Sequence, residues 1–321
     1  MTGSTLSVFG DAEDYEAALR AVCGVDLLVT GRGPFHARVT RIVLERMQLL
    51  AAEETLARIA FLTLPPDGLR VSLPVAAGTV LVSGGTPARP GEIVTHAGGG
   101  RVHERTRGPT RWGSIWLPLD DLVRCGRAMI GAAFTVPRGT CRWRPPAAAL
   151  HHLVELHADA MRATRLRPRL PAGAEAARGL EQLLLQALAE CMAPAVMDPA
   201  AAAEKRQASI MERFEDLIRA DPCGVQPIGA ICAAIGVPDR TLRTCCESHL
   251  GLSPLRYLQL RRMQLARHAL RGALPGGASV AQIARLHGFG QPGRFAGVYR
   301  AQFGELPSAT LRHRGRAGLA G

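Results

Sequence analysis

Polar side chains recur at helical spacing in the last third of the chain, and their types suit contact with nucleic-acid bases. One stripe has positions i, i+3, i+4 and i+7 of a helix, which are occupied by Arg240, Arg243, Thr244 and Glu247. An arginine can donate two hydrogen bonds to guanine O6 and N7, and a threonine can contact base edges or the thymine methyl group. The same stripe could instead be a solvated charged face. Whether this stripe contacts bases or only solvent depends on the secondary-structure elements on which it lies.

The opposite side of the same segment is apolar, as the buried face of a helix would be. It carries Leu242, Cys245, Cys246, His249 and Leu250. A reactive thiol needs exposure and a lowered pKa. We therefore predict that the vicinal pair Cys245 and Cys246 packs in a core and has no redox role. None of the cysteines has the C-x-x-C spacing that zinc sites favour.

Histidines in the first half of the chain are the other residues that could support chemistry. A metal enzyme built on a β-barrel needs a His-x-His pair and a nearby glutamate that converge on the ion. The chain offers His96, His103 and Glu104 without that spacing, and the adjacent His151 and His152 would point apart on a helix. Catalytic serine, phosphate-loop and dinucleotide motifs are also missing from the sequence. We predict no enzyme activity, no catalytic residue, no metal and no cofactor.

The positive charge of the chain is concentrated near its C-terminus. Residues 205–321 contain 17 Lys and Arg against 7 Asp and Glu, a net charge of +10, whereas residues 1–204 contain 22 against 20, a net charge of +2. Arginine supplies all the basic side chains except Lys205, which fits a GC-rich genome. Codon bias does not readily explain the asymmetry, but a phosphate-binding domain would. The charge by itself also fits an acidic membrane surface.

An internal repeat identifies the elements that carry the polar stripe. Residues 228–251 align with residues 280–304, and the matched pairs are Ile231 and Ile283, Gly236 and Gly288, Leu242 and Phe295, Cys246 and Tyr299, and Gly251 and Gly304. Each copy is predicted to be a short helix, a glycine-containing turn and a second helix, which is the helix-turn-helix pattern. A generic helical hairpin is the alternative. Two copies in register within the basic third favour helix-turn-helix.

The two copies differ on the face that would meet a ligand. The stripe of the second copy consists of Gly293, Ala296, Gly297 and Arg300, and only Gln291 and Arg294 add long polar side chains near the helix start. Residues 254–273 between the copies are predicted to form one helix of about 30 Å. That length is close to the ~34 Å between successive major-groove faces of B-DNA. We hypothesise that the first copy reads bases and the second positions the chain on the backbone.

The first two thirds of the chain are predicted to be β-rich and then helical. Apolar or alternating runs at 55–64, 78–82, 91–96 and 112–117 are separated by turn residues, and helical periodicity follows at 146–165 and 174–192. We predict a first domain at 1–195, a linker at 196–208 and a second domain at 209–316. No apolar run is long enough to span a membrane, and the N-terminus lacks a secretory pattern, so we expect a cytoplasmic protein.

The C-terminal motifs resemble those of the AraC/XylS family of bacterial regulators. The resemblance covers residues 224–314 and is strongest in the second copy, in the segments 280–284, 288–289, 293–295, 299–300, 303–305 and 307–308. The first copy matches through 235–237, 241–242 and 249–258. One departure concerns the residues before the two second helices, which are commonly serine or threonine in the family and are Pro238 and Gly290 here. Asp239 is the alternative cap.

The resemblance implies a fold and a function for the whole chain. The fold would be α+β multidomain, with an N-terminal cupin-like β-barrel followed by helices and a C-terminal all-α domain with two helix-turn-helix units. The function would be a sequence-specific transcriptional regulator, an effector-responsive activator that binds double-stranded DNA as a homodimer and contacts RNA polymerase. The residues that we predict to contact DNA are Arg240, Thr241, Arg243, Thr244, Gln291, Gly293, Arg294 and Arg300.

Two other functions stay open at this point. The chain could be a constitutive or architectural DNA-binding protein whose N-terminal domain only oligomerises. It could also be a barrel enzyme with a DNA-binding appendage, which the missing metal motif disfavours. The apolar stripe in 174–192 could mediate a dimer or could dock on its own barrel. The sequence does not single out the residues of an effector pocket.

Overall fold

A computed structural model of the chain describes residues 3–20, 22, 24–74, 81–166, 173–193, 196–199, 202–274 and 277–317. The chain divides into two compact units, of which one contains Met1–Leu27 and Phe35–Lys205 and the other contains Leu28–Pro34 and Arg206–Gly321. The first, N-terminal unit combines β-sheets with helices, and the second, C-terminal unit is helical apart from the short segment 28–34. This α+β multidomain architecture confirms the predicted fold class.

The strands of the chain form two sheets. They are β1 (Gly3–Phe9), β2 (Gly24–Val29), β3 (Ala37–Val43), β4 (Gln48–Glu54), β5 (Arg58–Thr63), β6 (Gly68–Leu73), β7 (Val82–Ser83), β8 (Thr86–Pro87), β9 (Ile93–Ala97), β10 (Arg101–Arg105), β11 (Thr110–Pro118), β12 (Gly139–Arg144) and β13 (Val196–Pro199). The larger sheet has the order β1-β3-β4-β11-β6-β9-β12-β13 and the smaller has the order β2-β5-β10-β7-β8. Antiparallel pairing runs through the larger sheet from β1 to β13.

The helices of the N-terminal unit are α1 (Ala12–Arg20), α2 (Leu119–Ile130), α3 (Ala147–Leu166) and α4 (Ala174–Met192). Helices α2, α3 and α4 cover one face of the larger sheet. Leu49, Leu69 and Ile115 of the sheet share one hydrophobic core with Leu153 of α3 and Leu184 of α4. The helical periodicity at 146–165 and 174–192 is therefore confirmed, because apolar side chains at helix spacing meet a sheet surface.

The other face of the larger sheet meets the smaller sheet, and the interior between them is partly polar. Successive residues of a strand point to opposite faces, so Leu69 and Val71 of β6 join the helix-side core while Arg70 and Ser72 point inward. Arg70 bonds to Glu104 of β10, which belongs to the smaller sheet. The two sheets thus enclose a core that includes buried ion pairs.

The helices of the C-terminal unit account for nearly all of its described residues. They are α5 (Ala202–Ala220), α6 (Ile228–Ile235), α7 (Asp239–Leu250), α8 (Pro254–Gly272), α9 (Val280–Leu286), α10 (Pro292–Phe303) and α11 (Pro307–Ala317). The predicted helix at 254–273 is confirmed as α8. Among the helices that the structure describes, none combines the length and the apolar content that a bilayer-spanning segment requires.

The segment 196–208, which we predicted to be a linker, includes regular secondary structure. It contains strand β13, which pairs with β12 between Cys141 and Pro199, and it contains the first turns of α5. Alanines 201–203 and the prolines suggested a linker, but pairing with the edge of β12 gives hydrogen-bond partners to backbone groups along one side of 196–199. Most of the predicted strand 78–82 lies outside the described residues, and its last residue begins β7.

The apolar stripe of α4 packs mainly within its own unit. Leu184, Ala187, Leu188 and Cys191 are buried in the core beneath the larger sheet, whereas Leu183 is 48% exposed. Of the two uses that the sequence allowed for this stripe, docking on the sheet therefore accounts for most of its side chains.

Candidate nucleic-acid interface

The first helix-turn-helix unit consists of α6, the turn at Gly236 and α7. On the inner face of α7, Leu242, Cys245, Cys246, His249 and Leu250 are buried, as the sequence predicts. Burial is the largest effect that raises the pKa of the Cys246 thiol. Because a protonated, enclosed thiol is a poor nucleophile, the structure agrees with a packing role for this vicinal pair.

The outer face of α7 carries the residues that we predicted to contact DNA. Arg240, Arg243 and Thr244 are exposed, and Thr241 is half-buried. The Nη2 of Arg243 donates to Asp239 Oδ2 at 3.1 Å, one turn earlier on the same exposed surface. The Thr244 hydroxyl donates to the Arg240 carbonyl oxygen at 3.0 Å. Both contacts are local, so a ligand could replace them at little cost.

The two copies of the repeat place glycine at the same structural positions. Gly236 and Gly288 lie in the turns with φ of +69° and +78°, and Gly251 and Gly304 follow α7 and α10 with φ of +69° and +77°. A residue with a Cβ rarely adopts this left-handed conformation. The glycines matched by sequence therefore mark equivalent turns and helix ends, which supports the predicted duplication.

The second helix-turn-helix unit consists of α9, the turn at Gly288 and α10. Phe295 and Tyr299 of α10 are buried against Ile283 of α9 and Met263 of α8. The predicted contact residues Gln291, Gly293, Arg294 and Arg300 are all exposed. A Cβ at Gly293 or Gly297 would meet no neighbouring atom within 4 Å. The outer face of α10 is therefore bare, as the sequence indicates, and packing within the unit does not require its glycines.

The helix starts differ in part from the predicted ones. Pro238 is the residue before α7 and has no side-chain cap bond, while Asp239 is already the first helical residue. In the second copy, Gln291 rather than Gly290 precedes α10. The alternative that Asp239 caps α7 is therefore wrong. A proline fixes φ near the value that a helix start needs, so α7 can begin without a side-chain acceptor.

A capping box at the start of α9 was not used in the sequence interpretation. The Ser279 hydroxyl accepts from the Gln282 N–H at 3.3 Å, and the Gln282 carboxamide oxygen accepts from the Ser279 N–H at 2.7 Å. The S-x-x-Q pattern of residues 279–282 is the signal that would have located it. The box fixes the first turn of the helix that supports α10.

A buried carboxylate joins α8 to α5. Glu215 of α5 is fully buried and accepts from the Tyr257 hydroxyl at 2.5 Å and from Arg261 Nη1 at 2.8 Å. Burial, followed by the nearby Glu215 charge, raises the pKa of Tyr257 well above its usual value. Tyr257 therefore stays protonated and donates. This pair of charge-assisted bonds fixes the first half of α8.

The second half of α8 belongs to the core of the second unit. Met263, Ala266 and Leu270 of α8 pack with Ile283 and Phe295. One helix therefore bonds to α5 through its first half and packs in the core of the second helix-turn-helix unit through its second half. It is also the helix that connects the two units along the chain.

The histidines considered for a metal site are used in other ways. His96 Nε2 lies 3.0 Å from the Ser83 hydroxyl, and the His103 ring packs against Phe61 with centroids 4.5 Å apart. Within the part of the chain that the structure describes, no three His, Cys, Asp or Glu side chains form a group that could hold a metal ion.

The C-terminal region is similar to proteins that regulate transcription. Residues 231–313 match the family model described as "Helix-turn-helix domain". The chain is 40% identical over 85 residues to a probable thc operon regulatory protein of Rhodococcus erythropolis, which covers 26% of each chain. It is 43% identical over 75 residues to XylDLEGF operon transcriptional activator 1 of Pseudomonas putida, which covers 23% of each chain.

A longer but weaker similarity extends beyond the two helix-turn-helix units. The chain is 30% identical over 134 residues to the HTH-type transcriptional activator RhaS of Salmonella arizonae, covering 42% of this chain and 46% of the relative. The solved structure of the AraC-like transcriptional activator CuxR is 16% identical with a TM-score of 0.44, covering 84% of this chain and 96% of that one.

The similarity to the first two relatives spans about a quarter of their length. The family model, at residues 231–313, takes in most of the two helix-turn-helix units and the helix α8 that joins them. The named curated relatives are regulatory proteins rather than enzymes. The C-terminal region of this chain is therefore similar to helix-turn-helix transcriptional regulators, and its motifs resemble those of the AraC/XylS family.

Proposed function

We propose that this protein is a sequence-specific regulator of transcription that binds two adjacent major grooves of double-stranded DNA. The observation that carries the proposal is the pair of helix-turn-helix units whose outer helices, α7 and α10, expose all of their predicted contact residues except the half-buried Thr241. The net charge of +10 in residues 205–321 supplies the attraction to phosphate. The named relatives that are activators support activation as the outcome of binding.

The spacing of the units favours adjacent grooves. The 19 residues of α8 correspond to about 28 Å at about 1.5 Å per residue. One turn of B-DNA is ~34 Å. A helix of this length can therefore connect two DNA-contacting helices, α7 and α10, on the same side of a duplex, and we call these two helices the readers. Glu215 of α5 holds the first half of α8 and the core around Met263 holds the second half, and both contacts support a fixed spacing.

The two readers have different tasks in this proposal. Arg240, Arg243 and Thr244 give α7 the side chains for direct base contact. The bare stripe of α10 leaves Gln291 and Arg294 near its start and Arg300 near its end for contacts to the phosphate backbone. The first unit would therefore supply most of the sequence discrimination, and the second would set register and add affinity.

The N-terminal unit would supply control. We propose that it binds a small-molecule effector and holds a second copy of the chain, and that the DNA-bound dimer contacts RNA polymerase in the cytoplasm. Leu183 of α4 and Ile130 of α2 are 48% and 47% exposed, and such apolar side chains suit a contact with a second copy. Sedimentation of the full chain at micromolar concentration as a monomer, with and without DNA, would contradict the dimer.

Selection of genomic DNA fragments by the full-length protein at physiological salt is the first test. We expect the retained fragments to share a motif with two elements about one helical turn apart. Retention without a shared motif would support an architectural protein that binds by charge alone. Arg111→Ala, an exposed change in β11 far from the helix-turn-helix units in sequence, serves as the control for general effects on the chain.

Substitutions in the two readers separate their tasks. Arg240→Ala should reduce discrimination at one half-site by about 1–3 kcal/mol. Arg294→Ala should weaken binding to all sequences alike and lower the slope of log affinity against log salt by about 0.9. Equal loss of base discrimination at the two half-sites would contradict the division of tasks.

A further inference from the structure

The interior between the two sheets is occupied by paired charges. Arg70 Nη1 donates to Glu104 Oε1 at 2.5 Å and Nη2 donates to Glu104 Oε2 at 3.0 Å. Ser72 and His96 complete the surroundings of this carboxylate, at 3.3 Å and 3.6 Å from Oε1. The Arg70 guanidinium also lies over the Trp116 ring, 5.5 Å from its centroid. A ligand here would have to break a buried ion pair.

A second buried carboxylate is saturated in the same way. Glu54 accepts from the Tyr15 hydroxyl at 2.5 Å, from Trp112 Nε1 at 2.7 Å and from Arg58 Nε at 3.1 Å. Arg58 lies over the Trp112 ring and also donates to the Glu104 carbonyl oxygen at 3.3 Å. These contacts pair four buried charged groups, Glu54, Arg58, Arg70 and Glu104, that could otherwise anchor an effector between the sheets. An effector site is therefore better sought on another surface.

An open cleft of about 330 Å³ lies outside the sheets, beside α2 and α4. Its volume falls in the range of about 300–1,000 Å³ that small-molecule sites have. The apolar part of its lining includes Met47, Leu117 and Leu185, of which Met47 and Leu117 are buried. The cleft can therefore receive the apolar body of a ligand without opening the core.

The polar lining of the cleft includes two arginine side chains that are rich in hydrogen-bond donors. Arg46 Nε and Arg124 Nη2 both contact the buried Asp121 carboxylate, at 3.0 Å and 2.5 Å. Each guanidinium carries five N–H donors, and the two side chains are 55% and 68% exposed. Asp121 holds the two arginines side by side, and the closest contact to this carboxylate uses one nitrogen of each guanidinium.

The second carboxylate of the cleft is anchored to the backbone. Glu181 Oε1 of α4 accepts from the N–H groups of Arg46 and Met47, at 2.7 Å and 3.0 Å. This contact fixes α4 against the turn between β3 and β4. Both Asp121 oxygens and Glu181 Oε1 thus serve internal bonds, whereas the exposed arginines offer donors. The available hydrogen bonding favours an anion.

We propose that this cleft binds a small organic anion with an apolar body, such as an aryl-alkyl carboxylate, as the effector. The inference rests on the effector response in the proposed function. The carboxylate would bind Arg46 and Arg124, which suit planar, bidentate recognition, and the apolar body would cover Met47, Leu117 and Leu185. A ligand between α2 and α4 would change how these two helices pack.

Titration calorimetry on the full-length protein at pH 7 tests the site, with phenylbutyrate as the probe and phenylbutyramide as its neutral match. We expect the carboxylate to bind at least about tenfold more tightly than the amide. Arg46→Gln and Arg124→Gln should each weaken carboxylate binding by about tenfold or more. Arg111→Gln, an exposed arginine outside the cleft, should leave binding unchanged.

A filling substitution provides a test that does not depend on charge. Ala128 lines the cleft and is exposed, so Ala128→Trp can occupy the cleft while the fold is retained, which the thermal unfolding curve checks. We expect this variant to lose probe binding. Equal binding of the two probes, no binding of the carboxylate, or retained affinity in the arginine and filling variants would overturn the proposal.

DNA binding distinguishes a failure of the cleft from a failure of the proposed function. The same preparations are assayed on the selected genomic motif. Sequence-specific DNA binding without any binding of the carboxylate would overturn the cleft site and leave the regulator intact. The absence of a shared DNA motif, together with carboxylate binding that the arginine variants remove, would overturn the proposed function and leave the cleft as an anion site.

Discussion

Arg70 and Glu104, 34 residues apart in the chain, form a two-point ion pair between the two sheets of the N-terminal unit, with side chains that are 4% and 1% exposed. Burial alone would raise the pKa of Glu104, but the Arg70 guanidinium and the His96 hydrogen bond outweigh it and hold this pKa well below its usual range. The pair stays charged at neutral pH. The effect of the pair on the free energy of unfolding can therefore be tested by removing one of the two charges.

Arg70→Met should destabilise the N-terminal unit by about 3–5 kcal/mol, because it leaves the Glu104 charge buried without its partner. The double variant Arg70→Met, Glu104→Met should recover much of that loss, since no unpaired charge remains. Urea unfolding of the full chain, followed by near-ultraviolet signals of the buried tryptophans, measures both. Arg111→Met on the surface should change stability by less than about 0.5 kcal/mol. A double variant as unstable as the single one would contradict the ion-pair explanation.

His157 of α3 should make the stability of the N-terminal unit fall below neutral pH. Burial lowers the pKa of His157 to about 4, although Nε2 donates to the Leu50 carbonyl oxygen at 3.0 Å. Between the unfolded value of about 6.5 and this folded value, the unfolded chain binds more protons, so stability is complete above pH 6.5 and declines as pH falls. The expected loss by pH 4 is about 3 kcal/mol.

Unfolding free energies at several pH values between 4 and 7 test this prediction. His157→Gln should flatten the pH dependence in that window, because glutamine does not titrate. His152→Gln, an exposed change on the same helix, should leave the slope as it is. If the slope of unfolding free energy against pH is unchanged in the His157 variant, another titrating group causes the pH dependence and the prediction is wrong.

Gly126 of α2 should not tolerate a side chain. A Cβ at this position would overlap the Phe134 ring, so we expect Gly126→Ala to cost about 1–3 kcal/mol through overpacking. Gly179 of α4 provides the matched control, because a Cβ there would meet nothing within 4 Å. Gly179→Ala should stabilise the chain by about 0.5–1 kcal/mol through helix propensity. Denaturant midpoints of the two variants should move in opposite directions.

The two open glycines of α10 should respond like Gly179. Gly293→Ala and Gly297→Ala should each stabilise the C-terminal unit by up to about 1 kcal/mol, as thermal unfolding would measure. If α10 positions the chain on the DNA backbone, neither change should alter which base pairs are preferred at its half-site. A new base preference in either variant would indicate that the bare face of α10 reads sequence.

The sequence determined the duplicated helix-turn-helix architecture. Buried and exposed faces of α7 followed from a period of 3.6 residues, and Gly236 and Gly288 marked the turns because each position needs a positive φ. These features depend on residues that are near each other in the chain. Exposure of Arg240, Arg243, Arg294 and Arg300 could be predicted for the same reason.

Only the tertiary structure decided which distant groups meet. Strand β13 formed from a segment that looked like a linker, because the edge of β12, about 55 residues away, supplied its hydrogen bonds. Arg70 and Glu104 gave no local signal of pairing, since alternation along a strand does not name the strand that faces it. The cleft at Arg46 and Arg124 arose in the same way, from a turn and a helix that share the buried Asp121. Local periodicity determines which face of a helix or strand is buried. Pairing across a core depends instead on which segments, far apart in the chain, fold against each other.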